Sequence, residues 1–297
     1  KASSAIRLIV WGCFEKLVIA NTLAERVDQY FNHIESYVGL ILIAAVVMYA
    51  FQIYCDFSGY TDIALGCAGL LGINLDVNFK CPYFSRSPRE FWSRWHISLS
   101  SWLRDYIYIP LGGSRKGTFR TYLNIMITFL VSGLWHGTGI TFAIWGLLHG
   151  FYQVVVRFFG QIFHIKKGAK PPIIVRFFQW LGTFICICFA WLFFRANSLS
   201  DAMYVIHNAF FNIEQPIEYL KTFVICTGMT YTKMAVIAGE LLILFIADRI
   251  AVNGKDPKQI ISKFNPVLKY SLYALFLVLI LIFSAKDVST GFIYAQF

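Results

Sequence analysis

Residues 121–156 contain no Lys, Arg, Asp or Glu, and no other stretch constrains the fold as strongly. As one helix they would run about 54 Å at 1.5 Å per residue, too long for a single crossing of a ~30 Å hydrocarbon core and slightly short for two. Arg120 and Arg157 stand at the two ends, and basic flanks mark the cytoplasmic side of membrane segments. The stretch is therefore expected to enter the bilayer and return. Gly133, Gly137 and Gly139 fall at its middle, where a turn is easiest. His136 lies among them, and the helix from Arg120 would carry it about 24 Å inward. Irregular backbone at that depth is tolerated only inside protein or beside a wet cavity. An ionisable group there is a functional candidate, set against a neutral imidazole hydrogen-bonded between helices. His149 is about 220° further round a helix and reads as a packing group.

Composition supports the membrane reading. The chain is 58% hydrophobic and only 14% charged, with 29 Phe in 297 residues, where a soluble domain has about a quarter charged. Apolar runs at 6–20, 38–54, 173–194, 234–246 and 267–284 join the central stretch to give an expectation of seven or eight passes. Only helices satisfy their own backbone over such spans, so the fold class is all-α and polytopic. The net charge of +10 sits in loops. Segments 80–120, 157–176 and 249–269 hold 18 of the 26 basic residues, a cytoplasmic bias rather than a nucleic-acid surface. The 196–229 segment is then extracytoplasmic. Seven Cys, an odd number without paired spacing, suggest neither a metal site nor a disulfide framework. The chain reads as one domain over 1–297. It starts at Lys1 rather than Met and is expected to lack earlier transmembrane helices.

Three polar stretches stand apart. In SRSPREFWSRWHISLSSWLRDYIYIP, 85–110, Ser87, Pro88 and Glu90 form a helix start. Phe91, Trp95, Leu99, Trp102 and Tyr106 then recur at helical spacing, with Arg89, Arg94 and Arg104 among them. This predicts an aromatic, basic helix at the headgroup boundary, with or without chemistry. In YIPLGGSRKGTFR, 108–120, glycines flank Arg115 and Lys116. It lacks the full phosphate-loop pattern and reads as a basic turn, with phosphate contact the alternative. In YCDFSGYTDIALG, 54–66, Asp56 and Asp62 are either solvated at a helix end or part of a buried polar network.

Together DFSGYTDIALG, EFWSRWHISLSSWLRDYIYIPLGGSRKGTFRTYLN and GLWHG…IWGLLHG closely resemble the membrane-bound O-acyltransferase family, in its bacterial alginate O-acetyltransferase-like branch. WLFFRA at 191–196 and the looser FIYAQF at 292–297 fit as well. The resemblance implies a helical bundle with re-entrant and short helices around a central tunnel. It implies transfer of an acyl group from a thioester donor to a hydroxyl. His136 matches the family's essential histidine and His96 a second characteristic one. Arg94, Trp95, Trp135, Arg115 and Lys116 are expected to bind substrate, and Asp56, Asp62 and Asp105 to be structural polar groups. No bound cofactor or metal is expected. Acetyl-CoA, or another acyl thioester, is the expected donor substrate, drawn in by the cytoplasmic cations. The expected acceptor is an extracytoplasmic glycan, reached through an extracytoplasmic SGNH-hydrolase-like partner at a bacterial inner membrane. A lipid, teichoic-acid or protein acceptor is the nearest alternative. A transporter with a discontinuous helix at 133–139 is the remote one.

The chemistry suits such a site. A hydroxyl needs a base to take its proton as it attacks, and a neutral imidazole serves near pH 7.

Overall fold

The computed structural model describes residues 2–162 and 171–284. The C-terminal FIYAQF and the middle of the basic 157–176 segment lie outside them. Every regular element among the described residues is helical. In chain order they begin with α1 (Ala2–Cys13), which passes through a π-helical stretch, Phe14–Ala20, into α2 (Asn21–Asn32), followed by α3 (Leu40–Leu70). Two short helices come next, α4 (Pro88–Trp92) and α5 (Ile97–Leu103), then a second π-helical stretch, Arg104–Tyr108. The hairpin helices are α6 (Thr118–His136) and α7 (Ile140–Ile162), followed by α8 (Ile173–Arg195). The chain continues with α9 (Leu199–Asn208), α10 (Pro216–Cys226), α11 (Tyr231–Val252), α12 (Pro257–Ser262) and α13 (Pro266–Ser284).

Contacts gather these elements into two units, one of residues 1–77 with 200–297 and one of residues 78–199. In the first, α1 and α3 cross where two glycines meet. A Cβ on Gly12 would stand 2.6 Å from the Gly59 carbonyl oxygen, and one on Gly59 would stand 2.6 Å from that of Gly12. The core beside this crossing is apolar and aromatic, with Phe14, Leu23, Ile41 and Ile53 fully buried.

Four helices are long and apolar enough to cross a membrane among the described residues: Leu40–Leu70, Ile140–Ile162, Ile173–Arg195 and Pro266–Phe283. That is fewer than the seven or eight passes expected from composition. The reason lies in the charges inside the other apolar runs. Helix α11 carries Lys233, Glu240, Asp248 and Arg249, and the π-helical stretch carries Glu15 and Lys16. The long apolar helices make this a multi-pass membrane protein.

In the second unit the expected turn is present. Helix α6 ends at His136, three residues follow, and α7 begins at Ile140, its first turn tied by Phe142 N–H to the Gly139 carbonyl at 3.1 Å. The helices are longer than the uncharged stretch, because they run outward past Arg120 and Arg157. At 1.5 Å per residue they reach about 28 and 34 Å; α7 is among the four helices long and apolar enough to cross a membrane, and α6, which carries Arg120 and Asn124, is not. They touch backbone to backbone at Gly133 and Gly146, whose Cα atoms face one another. A Cβ on Gly146 would meet the Phe129 carbonyl oxygen at 2.3 Å.

The segment 85–110 begins as read and then departs from it. Ser87 caps α4, accepting from Glu90 N–H at 3.1 Å, with Pro88 in the first turn. The helix stops at Trp92, and a turn leads to His96, whose backbone is left-handed at φ 44°. The cause is an extended segment from far upstream. The Asn78 carbonyl accepts from Ile97 N–H at 3.1 Å, and its side-chain oxygen accepts from Ser98 N–H at 3.0 Å. Lys80 N–H donates to the Arg94 carbonyl at 2.9 Å. These bonds satisfy groups that a continuous helix would have paired internally, so two short helices replace one long one.

Candidate active site

His136 is the last residue of α6 and is 3% exposed. Three aromatic rings stand around its imidazole. Trp135 lies at 4.9 Å between centroids, Trp145 at 5.1 Å and Phe194 at 5.2 Å, all near edge-to-face. Trp145 comes from the second turn of α7 and Phe194 from the end of α8. Three helices therefore meet at one nitrogen heterocycle in apolar surroundings. Trp135 is 59% exposed while Trp145 is 1% exposed, so the box has one open wall and one sealed wall.

Sequence spacing gave no reason to join His149 to this centre, but the structure does. His149 is fully buried, and its Nδ1 accepts from the Trp92 indole N–H at 3.1 Å. In a neutral imidazole this places the remaining proton on Nε2. Its ring lies 4.9 Å from Trp145, which in turn packs on His136. The two imidazoles share one tryptophan, and Trp191 closes the back by stacking on Trp145 at 5.9 Å.

His96 occupies the left-handed turn between α4 and α5, where Ser98 Oγ approaches its Nδ1 at 3.5 Å. Burial alone lowers its pKa from 6.5 to about 4, because desolvation disfavours the imidazolium. His96 is thus neutral across the physiological range.

The other residues picked out by sequence divide in position. Trp95 is 1% exposed and stacks on Phe91 at 5.4 Å. Arg94 pairs with Glu90 at 2.6 Å and reaches the Lys80 carbonyl at 3.4 Å, so it braces the break in the helix. Arg115 and Lys116 are exposed on the glycine turn. That turn is held by the buried amide of Asn124, which donates to the Leu111 and Gly113 carbonyls at 3.2 and 2.9 Å. Asp105 is exposed and paired with Arg104 at 2.7 Å. Asp56 is buried and paired with Lys16, while Asp62 is half-buried on α3. No cluster of three potential metal ligands occurs among the described residues.

A cavity of about 750 Å³ opens beside the histidine cluster. Arg89, Arg104 and Arg157 line it, and its inner wall includes Trp92 and Phe129. Both rings also pack on His149, at 5.0 and 6.3 Å. The cavity therefore joins a cationic rim to the aromatic box by way of Trp92. Among the described residues that line it there is no carboxylate, so its chemistry suits an elongated ligand with an anionic end. In the sequence Arg89 and Arg104 mark only a basic surface helix and Arg157 only a flank of the uncharged stretch. A signal was present: His149, Gln153, Arg157 and Gln161 are spaced four apart on α7, a polar row on an otherwise apolar helix.

Fold and site together describe a polytopic helical protein with a buried imidazole at the turn of a helical hairpin. Residues 2–195 match the MBOAT, membrane-bound O-acyltransferase family, and the chain belongs to it. It is 42% identical over 202 residues to the probable alginate O-acetylase AlgI of Pseudomonas putida, covering 68% of this chain and 40% of that protein. It is 42% identical over 195 residues to the peptidoglycan O-acetyltransferase of Helicobacter pylori, covering 66% and 36%. It is 36% identical over 169 residues to the teichoic acid D-alanyltransferase of Streptococcus thermophilus, covering 51% and 39%. The chain thus spans roughly two-fifths of the length of these relatives.

Proposed function

We propose that this protein is an O-acyltransferase of a bacterial inner membrane. It moves an acetyl group from a thioester donor on the cytoplasmic side to a hydroxyl of an extracytoplasmic glycan, directly or through a relay partner. The observation that carries the reading is the placement of His136, an imidazole 3% exposed at the turn of a helical hairpin. The names of the relatives, an alginate O-acetylase and a peptidoglycan O-acetyltransferase, support a glycan acceptor and an acetyl group. The teichoic acid D-alanyltransferase matches at lower identity over less of the chain, so D-alanyl transfer is the second reading.

His136 acts as general base. Its unprotonated nitrogen takes the acceptor's hydroxyl proton while that oxygen bonds to the thioester carbonyl carbon. The tetrahedral intermediate then collapses and the carbon–sulfur bond breaks. The imidazolium returns its proton to the departing thiolate, which leaves as a thiol. The new ester holds the acyl group, and the histidine ends neutral. The rings of Trp145 and Phe194 limit water, which would otherwise take the acyl group in place of the hydroxyl. His96, the second histidine of the family resemblance, is the candidate positioning residue for His136.

The test is acetyl transfer into glycan by membranes containing the His136→Ala variant, normalised to inserted protein. Loss of a general base costs about 10²–10⁴-fold. Near-normal transfer would sink the assignment. Transfer of D-alanine in place of acetate by the unaltered protein would favour the second reading.

A further inference from the structure

Helix α7 presents one polar row. His149, Gln153, Arg157 and Gln161 recur every four residues and so lie along one face. Gln153, Arg157 and Gln161 line the cavity, while His149 is buried at its inner end behind Trp92. Two of these side chains hold donors in an unusual state. Gln153 Nε2 and Arg157 Nε are both buried atoms without a hydrogen-bond partner among the described residues. An unmade bond at a buried donor costs about 1–3 kcal/mol, and here two such donors sit one helical turn apart on a cavity wall. Arg89, the Ser100 hydroxyl and Arg104, the last paired with Asp105, also line the cavity.

We infer that the α7 row recognises the 4′-phosphopantetheine arm of the donor, with Arg157 taking its phosphate and Gln153 an amide carbonyl. This rests on the acyltransferase reading and adds to it the specificity residues. The arm is a chain with a phosphate at one end, two amides in the middle and the thioester sulfur at the tip. The row offers the same order of partners: a guanidinium at 157, an amide at 153 and the histidine cluster from 149 inward. From 149 to 157 the helix rises about 12 Å, which spaces the phosphate contact away from the reacting carbon. Arginine suits the phosphate end because its planar fork bonds two oxygens at once. Gln161 is already engaged, accepting from the Tyr122 hydroxyl at 2.8 Å, and so bounds the row on its outer side. Coenzyme A and a holo acyl carrier protein both carry this arm, and the row reads what they share.

The test is equilibrium binding to the full-length protein in lipid nanodiscs, with no acyl transfer required. The probes are pantetheine, 4′-phosphopantetheine, coenzyme A and a holo acyl carrier protein. The unaltered protein binds phosphopantetheine more tightly than pantetheine. Arg157→Gln removes that preference, a loss of about tenfold to a hundredfold, and Arg157→Lys restores part of it. Gln153→Leu weakens pantetheine and phosphopantetheine alike. Both coenzyme A and the carrier protein lose affinity in Arg157→Gln, and whichever binds tighter identifies the source of the donor. Thermal unfolding of each variant confirms that it folds, and the lysine variant keeps the test valid if the glutamine one does not. No preference for the phosphate, or an equal preference in Arg157→Gln, overturns the inference. His136→Ala retains all of this binding, so failure of transfer and failure of recognition separate cleanly.

Discussion

The two units treat buried polarity in opposite ways. In the first, each buried acid meets a partner on a neighbouring helix. Asp56 pairs with Lys16. Glu15 accepts from the Ser58 hydroxyl at 2.9 Å, Asp248 from Tyr54 at 3.0 Å, and Glu240 from Thr22 at 3.4 Å. These bonds tie the first π-helical stretch, α2, α3 and α11 together. In the second unit, the described polar groups near the site are imidazoles, indoles, an amide and guanidiniums set among aromatic rings or along a cavity. Of these four partners one is a cation and three are hydroxyls, and all lie within the bundle. On the cavity wall Gln153 Nε2 and Arg157 Nε are buried without a partner among the described residues, while Arg104 pairs with Asp105. Under the proposed function the first arrangement is structural and the second receives the donor.

The largest effects should fall on different quantities in the two units. His136→Ala is expected to lower transfer by about 10²–10⁴-fold with little loss of folded protein, since it removes a polar group from an apolar box. Asp56→Ala should do the reverse. It removes the Lys16–Asp56 pair from a bundle where Asp56 is 5% exposed, and breaking a buried pair from one side costs about 3–5 kcal/mol. Thermal unfolding in detergent measures the second effect, and transfer per folded molecule measures the first. Replacing Lys16 by Met together with Asp56→Ala should recover much of the stability. A severe loss of specific activity in Asp56→Ala, with stability intact, would erase the distinction.

Parts of this arrangement are legible in the sequence, for reasons that can be named. The hairpin follows from an uncharged stretch too long for one pass, and its turn from three glycines around His136. The start of α4 follows from Ser87, Pro88 and Glu90, a purely local signal. The break at His96 is not legible, because its cause is Asn78, nearly twenty residues upstream in a segment without periodicity. The meeting of His149 with His136 is hidden for a related reason. It depends on Trp145 lying between them and on α6 approaching α7 at Gly133 and Gly146. Arg115 and Lys116, the conspicuous cations of the sequence, do not line the cavity. Arg157 flanks the uncharged stretch, but α7 continues past it to Ile162.

A change at the hairpin crossing sharpens the comparison at intermediate size. Gly146→Ala puts a methyl 2.3 Å from the Phe129 carbonyl oxygen, and backbone cannot rotate aside as a side chain does. The helices must part, at a cost of about 1–3 kcal/mol for an overpacked site. Trp145, which packs on His136, is the adjacent residue, so transfer per folded molecule should fall along with stability. Gly182→Ala on α8 is the control, because a Cβ there meets nothing within 4 Å. Its stability should hold or rise by up to about 1 kcal/mol through helix propensity. Equal behaviour of the two variants in unfolding and transfer would show that the crossing is loose.

The smallest expected effect concerns proton uptake at His96. Its pKa is about 4 in the folded protein against 6.5 for the free side chain, through burial. As pH falls from about 6.5 to 4, the unfolded chain gains a proton that the folded protein refuses. The unfolded state then binds more protons, so stability decreases as pH falls through this window and levels off below it. Asp105 on the neighbouring exposed turn also favours folding at higher pH, because its hydrogen bond to Arg104 holds the carboxyl below its ordinary value. That contribution is lost as pH falls through the carboxylate range, so it overlaps only the acid end of the His96 window. His96→Asn separates the two, since asparagine tolerates the left-handed backbone and does not titrate. The variant's unfolding midpoint should change less between pH 6.5 and 5 than that of the unaltered protein. An unchanged slope over that interval would mean that His96 takes up its proton as readily folded as unfolded, and that the aromatic turn leaves it open to water.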